Sequence, residues 1–288
     1  MARFACGQHT MTGIAPSSRK LEELLRLLDL ERIEKNLFRA FHPAGRTARL
    51  YGGQIMAQAL MAAIRTVDAD RAPHSLHGYF LRPGDPMVPA LIDVERIRDG
   101  QSFSTRRIVV IQHGKAIFNM DASFQRPEPG LEHQADMPAL APPPLGKVPP
   151  ALKEDVFLAW RHEHKALQDE LPHPPRQHIW FRSNGALPDD AALQACLLVY
   201  ESDNALLSTG RLPHRGSFVR ERLQMASLDH AMWFHQPAVA AWRADQWLLY
   251  ALDSPSSSQA RCYNRGQIFT EQGLLIASTM QEGLMRRR

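Results

Sequence analysis

Hydrophobic and polar positions along this chain repeat with two periods, and the change from one to the other happens twice. After Ser18, Leu21, Leu24, Leu25 and Leu28 recur at helical spacing, which predicts an amphipathic helix capped by the serine hydroxyl. Leu37 and Phe38 mark a short extended stretch. Tyr51-Gly52-Gly53-Gln54 then opens an apolar run through Val67. With Ile55, Ala59, Ala62 and Ala63 it reads as a helix buried on most sides, whose small residues let it lie close to a sheet. From His74 to Gln125 the period drops to two. Extended segments at 74–81, 90–98, 102–112 and 116–125 are separated by the turn signals Pro83-Gly84-Asp85, Asp99-Gly100 and His113-Gly114, giving a four-stranded antiparallel meander.

The layout returns in the second half. Residues 178–182 are extended, and Pro188-Asp189-Asp190 opens a helix running to about Asp203, its acids at the end the dipole favours. Residues 225–235, 247–252, 261–270 and 274–284 are extended, with Gln272-Gly273 as the last turn. Between the halves stand Pro127, Pro129, Pro138, Pro142 to Pro144, Pro149 and Pro150, a density that excludes helix and sheet interiors and marks a linker over 127–153. Residues 155–171 read as helix. The hairpin glycines Gly114 and Gly273 tie the halves together. So do the aromatic pairs Tyr79-Phe80 and Trp233-Phe234, each followed closely by a proline, Pro83 or Pro237. The expected fold is α+β: a long helix wrapped by a curved antiparallel sheet, the hotdog arrangement, present twice as a tandem (double) hotdog. Its parts are an N-terminal unit at 18–126, a connecting segment at 127–174 and a C-terminal unit at 175–288, the linker leaving each unit free to close its own sheet.

Composition narrows the function without naming it. A chain of 288 residues, 44% hydrophobic and 22% charged, buries a large core without disulfide or metal staples. Cys6, Cys196 and Cys262 are odd in number and widely spaced, which suggests neither a zinc site nor a disulfide framework and fits a reducing, cytoplasmic setting. No apolar run has the length of a membrane span. Residues 1–16 lack the apolar core of a signal peptide and read as a disordered leader. The net charge of +4 is scattered, with no nucleic-acid recognition motif; a small phosphate-bearing ligand suits it equally. There is no G-x-S-x-G elbow, no P-loop, no G-x-G-x-x-G and no H-E-x-x-H, so the corresponding nucleophilic, nucleotide, cofactor and metal sites are not indicated. His230 and His235 are five apart on an extended segment and face opposite sides, which disfavours a metal pair.

Three polar residues of the second half stand in notable places: Asp203 at the end of the buried helix, Ser227 leading into the Trp233-Phe234 strand, and Gln281 in the last strand. Superposing the hairpin turns sets Gln281 over Ala122, and superposing the helices sets Asp203 over Val67, so the second copy is polar where the first is apolar. Taken singly each has an ordinary role, as a turn acid, a strand hydroxyl and an outward amide.

Several stretches resemble the acyl-CoA thioesterase II family. In the first half these are Tyr51-Gly-Gly-Gln54, His74-Ser-Leu-His77, Tyr79-Phe-Leu-Arg-Pro-Gly-Asp85, Arg98-Asp-Gly-Gln-Ser-Phe-Ser104 and Ala122-Ser-Phe-Gln125. In the second they are Ser202-Asp203, Leu228-Asp-His-Ala-Met-Trp-Phe-His235, Trp247-Leu-Leu-Tyr250 and Ala277-Ser-Thr-Met-Gln-Glu-Gly283. The resemblance runs from about Leu21 onward and implies a double hotdog that hydrolyses fatty acyl-CoA. It implies an Asp, a Ser or Thr and a Gln that activate water against a thioester, carried here by Asp203, Ser227 and Gln281. Gly52 and Gly53, at a helix start, allow close backbone approach and are candidate oxyanion donors, or simply permit close packing. The implied partner is the acyl-CoA substrate, with no cofactor and no metal; sheet edges and helix faces suggest a homodimer or homotetramer. Two other readings stand beside hydrolysis: a hotdog enoyl-CoA hydratase or dehydratase, which needs a His/Asp pair at the helix, and a non-catalytic acyl-CoA-binding protein.

Overall fold

Ser18 caps the first helix as its place before the leucine ladder requires. Its oxygen accepts from the Leu21 N–H at 3.2 Å, and α1 (Arg19–Leu28) buries Leu21, Leu24 and Leu28. The computed structural model describes residues 17–43, 49–143, 154–163, 171–217 and 222–288; the expected leader at 1–16 lies outside them, as do 144–153 of the linker and 164–170. The first unit consists of β1 (Glu31–Glu34), β2 (Leu37–Ala40), α2 (Gly52–Ile64), β3 (Ala72–Phe80), β4 (Ala90–Asp99), β5 (Phe103–Gln112) and β6 (Lys115–Gln125). The second has β7 (Phe157–Arg161), β8 (Arg176–Ser183), α3 (Ala191–Ser202), the short α4 (Leu206–Thr209), β9 (Leu223–Ser227), β10 (Asp229–Phe234), β11 (Leu248–Ser258), β12 (Arg261–Thr270) and β13 (Leu275–Arg287).

The strand order is a palindrome. It reads β1-β2-β4-β5-β6-β3 in the first unit and, outward from the centre, β10-β13-β12-β11-β8-β7 in the second. The repeat is thus topological as well as patterned: each unit has an edge hairpin, a buried helix, a strand that lies innermost and a three-stranded meander. The expectation that each unit closes its own sheet gives way to a single sheet. β3 and β10 pair antiparallel from Asp229↔Tyr79 to Trp233↔Ser75, so the two strands that would otherwise be bare edges satisfy each other. The tandem hotdog is a pseudo-dimer in that literal sense.

The helices pack where their composition sends them. Every residue of α2 from Gly53 to Ala63 is buried, and α3 buries its run from Gln194 to Val199. Both belong to one apolar cluster with the inward residues of the sheet, such as Ile92, Val94, Ile108, Val110, Phe118 and Met120 of the first unit and Phe181, Leu248, Leu252 and Ile268 of the second. Asp190 caps α3, accepting from the Leu193 N–H at 3.0 Å.

Three stretches differ from their sequence reading. Phe157–Arg161, expected as helix, is edge strand β7 paired to β8; five residues with two aromatics suit a strand better than a helix, and β8 otherwise ends the sheet. Residues 225–235 break at Leu228 into β9 and β10, which pair with β13 in registers one residue apart, a bulge beside Ser227. β11 runs on to Ser258, past the expected end at Leu252 and through Pro255, because the ladder slips between Asp253 and Ser256 and leaves the proline unpaired. The described part of the linker, 127–143, has neither helix nor strand. It lies on the outer side of the second unit, where Met137 and Leu140 cover Trp180, Leu249, Phe269 and Leu275, and Gln134 bonds the Gly273 carbonyl and the Leu275 N–H.

Candidate active site

α3 ends at Ser202, Asp203 is its C-cap, and the chain then turns through Ala205 at φ 78°. A carboxylate at a helix C-terminus faces the negative end of the dipole. Here a second helix offsets this: the Gly53 N–H, in the first turn of α2, donates to Asp203 Oδ2 at 3.0 Å. Asp203 thus sits between the C-terminus of one helix and the N-terminus of its pseudo-symmetric mate.

The other carboxylate oxygen collects the remaining candidates. Gln281 Nε2 donates to Asp203 Oδ1 at 2.6 Å, and Ser227 Oγ donates to the same atom at 3.3 Å. The three sequence candidates therefore converge from α3, β13 and β9, and Gly53 joins them from the other unit. Gln281 is wholly buried, while Asp203 and Ser227 are half-buried. The carboxylate fixes the orientation of the amide, since a flip would set two oxygens against each other; this leaves Gln281 Oε1 without a partner among the described residues.

Gly52 and Gly53 divide their duties. Both N–H groups were expected to stand free, and for Gly53 the structure corrects this, because its donor is engaged by Asp203. A Cβ on Gly53 would lie 2.2 Å from the Tyr200 carbonyl oxygen, so this glycine lets α2 and α3 touch. Tyr51 seals the same contact, its hydroxyl donating to the Tyr200 carbonyl at 2.9 Å and its ring packing edge-on to the Tyr200 ring. A Cβ on Gly52 would lie 2.7 Å from Asp203 Oδ2 and 2.9 Å from the Phe80 ring, so this residue borders the carboxylate directly.

One polar neighbour of this cluster escaped the sequence reading. No histidine was expected near Asp203, yet the register of β10 on β13 sets His230 beside Gln281, with Nδ1 3.3 Å from Nε2 of the amide. The amide is the donor, so Nε2 of the ring carries the proton and gives it to Ser202 Oγ at 3.0 Å; that hydroxyl in turn donates to the Val199 carbonyl. Burial pushes the imidazole down to about 4, against the pull of Asp203, so the ring is neutral at ordinary pH. The ring lies behind Gln281 and bonds neither Asp203 nor Ser227. The spacing Ser227-x-x-His230 in an apolar strand was the available signal. His235, by contrast, is exposed and bonds Ser278.

The chain matches two family models: residues 42–125 match the acyl-CoA thioesterase N-terminal domain, and 161–284 match acyl-CoA thioesterase. It is 38% identical to acyl-CoA thioesterase 2 of Haemophilus influenzae over 92% of this chain and 98% of that one. It is 40% identical to acyl-coenzyme A thioesterase 8 of Mus musculus over 90% and 88%. The chain belongs to the acyl-CoA thioesterase family. Among solved structures, the acyl-CoA thioesterase II TesB2 of Mycobacterium marinum is 44% identical and superposes with a TM-score of 0.80, over 92% of this chain and 98% of that one.

Within this thioesterase chain the repeat explains why the polar cluster forms once. Thr66 Oγ donates to the Ala63 carbonyl just as Ser202 Oγ donates to that of Val199, which sets Val67 at the place of Asp203. Arg106 faces Ala122 across the ladder as Asn264 faces Gln281. The Arg106 guanidinium fills the first unit's equivalent space. It donates to Thr66 Oγ and the Thr66 carbonyl, to the carbonyls of Arg98 and Thr105, and to Asp99 at 2.5 Å, and its side chain is wholly buried. A cleft of about 680 Å³ opens between the end of α2 and the start of α3, near Val67, Ala191, Phe234 and Trp242. It has the pseudo-symmetric position, with Val67 and Ala122 where the second unit has Asp203 and Gln281.

Proposed function

We propose that this chain hydrolyses fatty acyl-CoA to fatty acid and CoA by direct attack of water, using Asp203, Ser227 and Gln281. The observation that carries the reading is the meeting of Ser227 Oγ and Gln281 Nε2 on one carboxylate oxygen, from strands remote in sequence. A thioester carbonyl is readily attacked, and its thiol leaves as a thiolate with a pKa of about 8.5, so a strong general acid is unnecessary. What the reaction needs is a positioned water, an acceptor for its proton and a donor for the oxyanion. Asp203 takes the proton. Ser227 and Gln281 hold the carboxylate and the water with groups that do not titrate near neutrality. Gly52, adjoining the carboxylate at the N-terminus of α2, is the oxyanion donor in this scheme; Gly53 anchors Asp203 instead.

Ser227 is not read as a covalent nucleophile, because its hydroxyl bonds the carboxylate and among the described residues no imidazole is placed to receive its proton. Hydration of an enoyl-CoA needs a histidine that reaches substrate, and His230 is turned away behind Gln281. In this reading the 18–126 unit frames the site and the 175–288 unit supplies its reacting groups, one site per chain. The chain works in the cytoplasm as a homodimer or homotetramer. Among the described residues no helix is long and apolar enough to cross a membrane.

The test is thiol release from saturated acyl-CoAs of graded chain length, with an enoyl-CoA incubated in parallel. Release at one or more lengths without hydration of the enoyl-CoA is expected. No release at any length, or stoichiometric binding without turnover, would overturn the proposal.

A further inference from the structure

β9 leaves the candidate site as an edge strand. On one side it is laddered to β13, from Ser227↔Gly283 through Met225↔Met285 to Leu223↔Arg287. On the other the described residues offer it no strand; Arg49, three residues ahead of Gly52, donates from Nη2 to the Met225 carbonyl at 3.1 Å. Residues directly opposite in an antiparallel ladder share a face, and the face repeats every second residue. Ser227, Met225 and Leu223 therefore lie on one face with Gly283, Met285 and Arg287. Leu207 of α4 packs over Gly283 on this face, beside the Ser227 hydroxyl; beyond it come two half-buried thioethers and, four residues along, a guanidinium, roughly 13 Å at ~3.3 Å per residue.

Exposed arginines on this sheet are either ion-paired or, like Arg32 and Arg96, bonded only to neutral oxygens. Arg39, Arg107, Arg126 and Arg265 are each tied to a carboxylate. Arg49, Arg222, Arg286 and Arg287 are exposed, and among the described residues no carboxylate pairs with them. Arg287 reaches only the Ser217 hydroxyl, at 3.4 Å. The nearby Glu282 is engaged by Arg261, and Asp229 accepts from the Glu282 N–H. Arg49 and Arg287, which bond a neutral oxygen through one guanidinium nitrogen each, keep their other donors for an anion, and the planar fork suits phosphate.

We propose that Arg49 and Arg287, flanked by Arg222 and Arg286, form the seat for the phosphates of the CoA moiety, with the pantetheine arm lying along Met225 and Met285. The assignment rests on the reading that Asp203, Ser227 and Gln281 take the thioester. An amphipathic arm ending in a diphosphate and a ribose phosphate matches the order hydroxyl, thioether, guanidinium. A carrier-free thioester, with no phosphate, would leave the arginines unused.

The experiment compares the same acyl group on CoA and on pantetheine, which lacks the nucleotide and its phosphates, in wild type, Arg49→Ala, Arg287→Ala and the double variant. The readout is the ratio of kcat/KM for the two thioesters. Charge-assisted hydrogen bonds of the usual strength predict that the ratio falls roughly tenfold per arginine, through KM for the CoA substrate. It should also flatten against added salt in the double variant. Arg107→Ala, whose arginine is paired to Asp121 in the first unit, leaves the ratio unchanged. Equal losses on both thioesters, or no change on either, would overturn the seat. If wild type turns over neither thioester, the hydrolytic reading fails separately. The seat is then read by calorimetry with free CoA and pantetheine: a preference for CoA that is lost in the double variant supports it, and equal binding refutes it.

Discussion

Gly53→Ala separates two physical arguments of opposite sign. Gly53 lies in the first turn of α2, and on helix propensity alone alanine should stabilise by up to ~1 kcal/mol. The structure argues otherwise. The new methyl carbon would stand 2.2 Å from the Tyr200 carbonyl oxygen and 2.6 Å from the Tyr51 ring. The first distance is more than ~1 Å inside a normal contact, and the obstacle is backbone, which cannot rotate away. The helices must separate, and the Tyr51–Tyr200 hydrogen bond and the Gly53–Asp203 hydrogen bond stretch with them. Overpacking of this kind costs about 1–3 kcal/mol, and each weakened buried hydrogen bond adds on the order of 1 kcal/mol. The net expectation is a loss of about 2–4 kcal/mol, which for a chain of this size lowers Tm by roughly 3–7 °C. Circular dichroism melts measure it. Thiol release from the protein that remains folded should fall too, because Asp203 loses an anchor. An unchanged or raised Tm would refute the close-contact argument and leave propensity as the stronger effect.

Three further outcomes follow from the same geometry. Burial pushes the Glu201 carboxyl up to about 8 from 4.5, against the bond from Asn204, so its contribution to stability is complete below pH 4.5 and is lost as pH rises through 8. Glu201→Gln should therefore gain on wild type progressively across that window, to a ceiling of roughly 4–5 kcal/mol; parallel Tm-against-pH curves would exclude it. His230 is neutral down to about 4, so kcat should show no inflection near 6.5 in wild type; one that disappears in His230→Gln would contradict the buried, neutral ring. Arg106→Met strands the carbonyls of Thr66, Arg98 and Thr105 and should lower stability by about 2–4 kcal/mol in chemical denaturation, with kcat per folded molecule unchanged; an unaffected midpoint would mean the guanidinium is not structural.

Much of this was legible in one dimension, and the rest was hidden for identifiable reasons. The leucines behind Ser18, the alternation over 90–125 and the hairpin glycines mark their elements because one face of each is buried and the other is not. The equivalence of Val67 to Asp203 could be read by aligning the helices and that of Ala122 to Gln281 by aligning the hairpin turns, and the hydrogen-bond registers agree with both. Pairing between remote strands could not be read. The β3–β10 junction joins strands that are each satisfied in either of two ways, alone at an edge or with each other, and only tertiary structure decides. β7 was misread because Phe157–Arg161 is too short for periodicity to speak. The engagement of Gly53, and the place of His230 behind Gln281, depend on two helices and two strands meeting in space, which no local pattern encodes.

The central claim is that Asp203 accepts the proton of the attacking water, and Asp203→Asn tests it most directly. The substitution keeps the shape and removes the base. It also leaves one acceptor where Gly53, Ser227 and Gln281 now donate to two, so Tm should be followed alongside. With the fold intact at the assay temperature, kcat for thiol release should fall about 10²- to 10⁴-fold, the range of a lost general base. A folded Asp203→Asn protein with wild-type kcat would contradict the account.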